Sequence, residues 1–137
     1  MRIDFENYKT LKALTDFIMA EKNCDRKAAT EWCRQNVPKE NYFQGKIKDY
    51  LKKKYPDSFI TKFSAGAYSQ GGVPDIFFIY KGRYIGFEVK RPYFGVVSKL
   101  QEQTIEAIRK AGGVAEVVTY VSEVKKVMKI IEQEDSE

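Results

Sequence analysis

The chain has 137 residues, 43% of them hydrophobic and 14% aromatic, which suffices for one ordinary core and hardly for two. It contains no histidine, and this excludes nucleophilic triads, histidine general bases and imidazole zinc sites. The formal charge of +5 is uneven: residues 1–38 hold 7 basic and 6 acidic side chains and residues 39–131 hold 17 and 9, so the two parts carry +1 and +8.

Such an excess favours a polyanionic partner, although a basic balance also simply keeps a small protein soluble. No apolar run approaches the roughly 18 residues that span a bilayer. The start, Met1-Arg2-Ile3-Asp4-Phe5-Glu6, is polar and acidic, unlike a signal peptide. The expectation is a soluble, cytoplasmic protein without membrane association. Cys24 and Cys33 have no metal-ligand partners at suitable spacing and read as reduced, structural residues.

In chain order, residues 5–21 carry Tyr8, Leu11, Leu14, Thr15 and Ile18 at three- and four-residue steps, the pattern of an amphipathic helix. Residues 23–25 interrupt it. Asp25 is an acceptable N-cap for a second helix through Ala28, Ala29, Trp32 and Cys33 to Asn36. Val37-Pro38 ends that helix, because the residue before proline is biased away from helical backbone. Two helices with a tight link suit a packing appendage, a dimer arm or a small DNA-binding pair.

Residues 39–55 predict a third helix with Phe43, Ile47, Tyr50 and Leu51 on one stripe. Glu40 falls on that stripe, where a carboxylate needs a reason. Either it favours the positive end of the helix dipole or it points into a site as a third acid. Gln44, one turn on, shares the face as a possible hydrogen-bonding support. Lys52-Lys53-Lys54 reads as a solvated helix end.

Residues 59–64 read as a first strand and residues 65–73 as a Gly-rich loop. No Gly-Lys-Ser/Thr follows and a strand comes next, so this is not a phosphate-binding P-loop. It is either a plain connection or a site loop that brings backbone amides, Tyr68 and Gln70 against a nucleic-acid backbone.

Two apolar runs, 76–80 and 84–89, flank Lys81-Gly82-Arg83 and read as a β-hairpin. Alternation turns Ile85, Phe87 and Val89 one way and Gly86, Glu88 and Lys90 the other. Asp75, at the start of the first of these strands, comes beside Glu88 and Lys90. Two acids and a lysine therefore converge at one sheet end. They form either a solvated cross-strand ion pair worth roughly 0–1 kcal/mol or a cation site. Two carboxylates about 4 Å apart repel by roughly 4 kcal/mol at an effective dielectric near 20, and Mg²⁺ is the natural hard cation to offset this.

Arg91-Pro92 ends the strand, and residues 93–97 connect to a helix with Ser98 as N-cap. It carries Leu100, Thr104, Ala107, Ile108 and Ala111 and closes at Gly112-Gly113. Residues 114–120 read as a buried strand, Ser122 opens a last helix with Val124, Val127, Met128 and Ile131, and a frayed acidic tail follows. The order implies an α/β fold with a mixed sheet: an antiparallel meander of three strands, then a right-handed crossover to a fourth. The site lies at one open edge, where Glu40 can join Asp75 and Glu88.

The succession Glu40, Gly72-Val73-Pro74-Asp75, Glu88-Val89-Lys90 and Ser98-Lys99-Leu100-Gln101 resembles the motif order of the VRR-NUC (virus-type replication-repair nuclease) branch of the PD-(D/E)xK nuclease superfamily, in its stand-alone, phage-type form. The resemblance covers about residues 39–131. It implies a restriction-endonuclease-like core within a nuclease domain of residues 39–137, with residues 1–38 as a helical extension outside the match. By the same resemblance, Asp75, Glu88 and the main-chain carbonyl of Val89 are metal ligands and Glu40 is the helical acid. Lys90 is the lysine that positions the attacking water and stabilises charge on the phosphate, and Gln101 supports the site from the crossover helix. Ser98 is either part of the site or only a cap. The implied activity is Mg²⁺-dependent DNA cleavage with Mn²⁺ as substitute. The implied substrate is branched DNA such as a Holliday junction, cut by a homodimer. A nonspecific or single-strand nuclease, and a non-cleaving nucleic-acid-binding protein that keeps the fold, are the alternatives.

Overall fold

Lys81 and Gly82 both adopt positive φ, 52° and 76°, and join Tyr80 to Arg83 as a two-residue turn. Its left-handed backbone matches the twist of the flanking strands. Arg83 thus belongs to the strand and not to the turn predicted for residues 81–83. The computed structural model describes residues 2–63 and 71–136. The hairpin strands β2 (Ile76–Tyr80) and β3 (Arg83–Val89) are flanked by β1 (Phe59–Lys62) and β4 (Val114–Val118) in the order β1-β2-β3-β4. The first two pairings are antiparallel and the last is parallel, as the element order predicts. Ser64, placed in the first strand by pattern, and Tyr68 and Gln70 of the Gly-rich loop lie outside the described residues.

The described residues form five helices, of which α3 (Glu40–Lys54), α4 (Lys99–Lys110) and α5 (Val121–Asp135) pack on the sheet while α1 (Leu11–Lys22) and α2 (Arg26–Asn36) pack on each other. The main core lies on one face, where Ile85, Phe87 and Val89 of β3 are fully buried with Ile47 and Leu51 of α3 and Val124 of α5. The crossover helix α4 packs on the other face. Gly72 permits this, because its φ is +90° and a Cβ there would come within 2.8 Å of the Leu100 carbonyl oxygen. Among the described residues no helix is long and apolar enough to cross a membrane.

Three boundaries depart from the sequence reading, two because a side chain competes for the backbone and one because side chains pair across the fold. The first helix starts at Leu11 and not at residue 5. Asp4 caps a short 3-10 turn, Phe5–Asn7, and the Thr10 hydroxyl then accepts from the Ala13 amide at 3.1 Å to open α1. β4 stops at Val118, since the amides of Thr119 and Tyr120 both donate to Glu123 Oε1 at 2.9 Å, inside the first turn of α5. The acidic tail is not frayed at Glu132, Glu134 or Asp135, and its last member, Glu137, lies outside the described residues. α5 runs to Asp135, Arg83 pairs with Glu134 and Asp135, and the Tyr55 hydroxyl donates to Glu132 at 2.8 Å.

Leu14 and Ile18 of α1, Ala29 and Cys33 of α2, and Val37 just after α2 form a smaller apolar cluster, against which Tyr93 and Phe94 pack. Tyr93 donates its hydroxyl to the carbonyls of Phe5 and Tyr8 at 2.8 and 2.6 Å. Both cysteines are free thiols.

Candidate metal centre

Glu88 is the buried pivot of the site, with 1% of its surface exposed. The pairing of Ile76 with Phe87, carried one residue further, sets Asp75 opposite Glu88. Asp75 is locked there from both sides. Its Oδ2 accepts from the Val89 amide at 2.9 Å, and its carbonyl accepts from the Phe63 amide at 2.7 Å. Lys90 follows on the same face as Glu88, its Nζ 3.5 Å from Glu88 Oε2.

Gln101 reaches Glu88 from α4, donating through Nε2 to Oε2 at 3.1 Å. A capping box holds its amide the right way round. Gln101 Oε1 accepts from the Ser98 amide at 2.9 Å while Ser98 Oγ accepts from the Gln101 amide at 3.1 Å, so only the NH₂ end can face the carboxylate. Ser98 therefore caps, and through the cap it orients a site residue. Glu40 opens α3, where its charge also suits the helix dipole, and Gln44 donates to its Oε1 at 3.0 Å.

The three acids thus share a design. Each has one oxygen held by a donor, and no hydrogen bond from the described residues reaches the other oxygen of Glu40 or Asp75. Glu88 Oε1 is fully buried without a partner. An oxygen from each of Glu40, Asp75 and Glu88 lies within 4.8 Å of the other two. At that separation each ionised pair repels by roughly 3 kcal/mol at an effective dielectric near 20.

The protonation equilibria register this crowding. Burial first, and then the neighbouring Asp75, push the Glu88 carboxyl up to about 8, with Lys90 only partly opposing them. Glu40 is also raised, first by burial and then by Asp75, against the pull of Lys90 and Lys62. One lysine does not balance three acids, so a solvated cross-strand ion pair does not describe the site. An all-oxygen set with an unsatisfied buried carboxylate oxygen fits a hard divalent cation.

The structure brings Glu40, Asp75, Glu88, Lys90 and Gln101 together, with Gln44 supporting Glu40 as its place on the helix face suggested. Val89 contributes its amide to Asp75 while its side chain fills the core. Arg91 was legible only as the end of a strand. Its guanidinium donates to the carbonyls of Arg34, Val37 and Pro38 at 2.6, 2.8 and 3.2 Å, tying the residue after Lys90 to the segment before Glu40. No local pattern marks that role, because its acceptors are main-chain atoms more than fifty positions away.

No family model matches the sequence, and no curated protein matches it. Solved structures do. One described as a VRR_NUC domain has a TM-score of 0.51 and 25% identity, over 62% of this chain and 92% of the other. Another, described as a VRR_NUC domain protein, has a TM-score of 0.54 and 19% identity over 67% and 86%. Fold and acidic cluster together define a nuclease-type α/β domain. Within that class the likeness supports a VRR-NUC domain, the family whose motif order the sequence resembles.

Proposed function

We propose that the chain is a divalent-metal-dependent DNA endonuclease that hydrolyses phosphodiester bonds. The observation that carries this reading is that, among the described residues, nothing partners the buried Oε1 of Glu88 or the second oxygens of Glu40 and Asp75, with the Lys90 ammonium alongside. Glu40, Asp75 and Glu88 would hold Mg²⁺ or Mn²⁺, joined by the main-chain carbonyl of Val89. When bound, such an ion neutralises charge on the phosphate and lowers the pKa of a water.

The residues of the chain do the rest. Lys90 presents an ammonium to the attacking water and to the phosphate oxygen that gains charge. Gln101 holds Glu88 by one oxygen and leaves the other to the ion. Gln44 does the same for Glu40, and the Val89 amide for Asp75. Preset dipoles of this kind need no reorganisation as charge develops, which is where most catalytic stabilisation arises. Histidine is not required.

The substrate proposed from the family resemblance is branched DNA cut by a homodimer in the cytoplasm, with the nuclease unit at residues 39–137 and residues 1–38 as its helical extension. The test is cleavage of labelled linear, flap and four-way DNA with and without Mg²⁺. Asp75→Asn and Lys90→Ala are expected to lower the rate by about 100-fold or more, with the melting temperature nearly unchanged. A parent protein that cuts none of these substrates with Mg²⁺ or Mn²⁺ would remove the proposal and leave a binding protein that retains the fold.

A further inference from the structure

The sheet face that carries Asp75 and Glu88 continues away from the acids as a row of aromatic rings. Alternation along β2 puts Phe77 on the same side as Asp75. Its ring meets those of Phe59 and Phe63 at centroid distances of 6.0 and 5.6 Å, and that of Tyr84 at 5.1 Å, all edge-on. Gly86, the cross-strand partner of Phe77, makes room for the last of these. A Cβ at Gly86 would collide with the Tyr84 hydroxyl and stand 2.9 Å from Pro74, so the Tyr84 side chain lies along β3 toward the residue before Asp75. The rings reach from the outer strand to the level of Asp75, whose carbonyl accepts from the Phe63 amide at 2.7 Å.

Its outer members are open to water, Phe59 at 57% and Phe63 at 42% exposure. A lone exposed phenylalanine needs no explanation. Three rings gathered on a fourth, Phe77, on the sheet face that carries the acids, are a different matter. Helix α4 packs on β4 and reaches β3 through the Gln101–Glu88 hydrogen bond, and among the described residues α4 makes no comparable packing on β1.

We infer that this row is a stacking surface for unpaired nucleobases, so that the nucleic acid carries a single-stranded or frayed stretch beside the phosphate held at the acids. The inference rests on the nuclease reading for the place of that phosphate. Same-face residues on a strand are spaced by about 6.7 Å, so bases flanking a phosphate at Asp75 come within reach of Phe77 and then of the β1 rings. Phenyl faces stack on any base and read no sequence, whereas a paired duplex keeps its base faces hidden. The basic excess of residues 39–131 supplies the complementary attraction for the backbone. A second copy of the chain, or another protein, seated on the row is what the experiment has to separate.

The experiment measures fluorescence anisotropy of the full-length protein in EDTA, where no cutting occurs, with labelled oligothymidylate and with an abasic oligonucleotide of equal length. The parent is expected to prefer the strand that has bases. Phe59→Ala and Phe63→Ala should each weaken oligothymidylate binding by about fivefold or more. Abasic binding and the melting temperature should stay unchanged, and Phe59→Trp should restore affinity. Equal binding of both strands by the parent, or alanine variants that bind oligothymidylate as the parent does, would overturn the inference. So would a sedimenting dimer that Phe59→Ala converts to monomer without altering DNA binding. Mg²⁺-dependent cleavage is scored separately, so loss of the nuclease reading and loss of the stacking reading give different results.

Discussion

The two faces of β3 do opposite jobs within seven residues. Ile85, Phe87 and Val89 point into the main core and are fully buried among apolar neighbours. Glu88, between two of them, is almost as buried, yet it keeps a carboxylate oxygen without a hydrogen bond and two acids for company. One face stabilises the fold, and the other carries a locally unfavourable arrangement that a cation would relieve. A buried group of that kind survives because the packing opposite it is strong enough to hold it in place.

The largest expected effect lies on the apolar face. Phe87→Ala should cost about 3–5 kcal/mol, a large share of the stability of a domain this size, and urea unfolding would show it. If the cost is below about 1 kcal/mol, the contrast between the faces fails on its apolar side.

The neighbouring substitution should have the reverse sign. Glu88→Gln puts a neutral amide in place of a carboxyl that the folded chain must hold protonated at neutral pH, and is expected to stabilise the metal-free protein there by about 1–3 kcal/mol, the penalty attached to a buried group without a partner. The pH dependence carries the same information. With its folded pKa at about 8 against an ordinary value of 4.5, Glu88 keeps a proton in the folded chain that the unfolded chain has already released. Stability without metal therefore falls as pH rises from about 4.5 to about 8. Manganese should flatten that slope in the parent and change nothing in Glu88→Gln. A flat metal-free profile in the parent would mean that Glu88 is satisfied by other means.

The smallest effect sharpens the role of the crossover helix. Ser98→Ala should cost about 1 kcal/mol as a lost cap. If the cap also orients Gln101, manganese affinity should drop by about tenfold, the low end for losing a group that aligns a ligand. A lost cap with undiminished manganese affinity would leave Ser98 with helix stability alone.

Much of this was legible before any coordinates, for a physical reason. Strand alternation fixes which residues share a face, so Asp75, Glu88 and Lys90 could be grouped from the hairpin alone, and the helical period put Glu40 on the buried stripe of α3. Ser98 was legible as the N-cap of the crossover helix, while the place of Gln101 came only from the motif resemblance. What escaped depends on competition or distance. Thr10 and Glu123 win backbone amides that periodicity assigned to a longer helix and a longer strand. Arg91 and Tyr93 act through carbonyls far off in sequence, and the acidic tail is held by Arg83 and Tyr55 across the fold. Between Glu40's two possible roles the sequence could not choose, and the structure satisfies both.

The most direct test of the centre itself is a crystal soaked in manganese, with anomalous differences recorded at the metal's absorption edge. The expected result is a peak ligated by one oxygen from each of Glu40, Asp75 and Glu88, with Glu88 Oε1 as the buried ligand, and no peak in Glu88→Gln. A map without density among the three acids, or with manganese only at surface carboxylates, would contradict the metal centre.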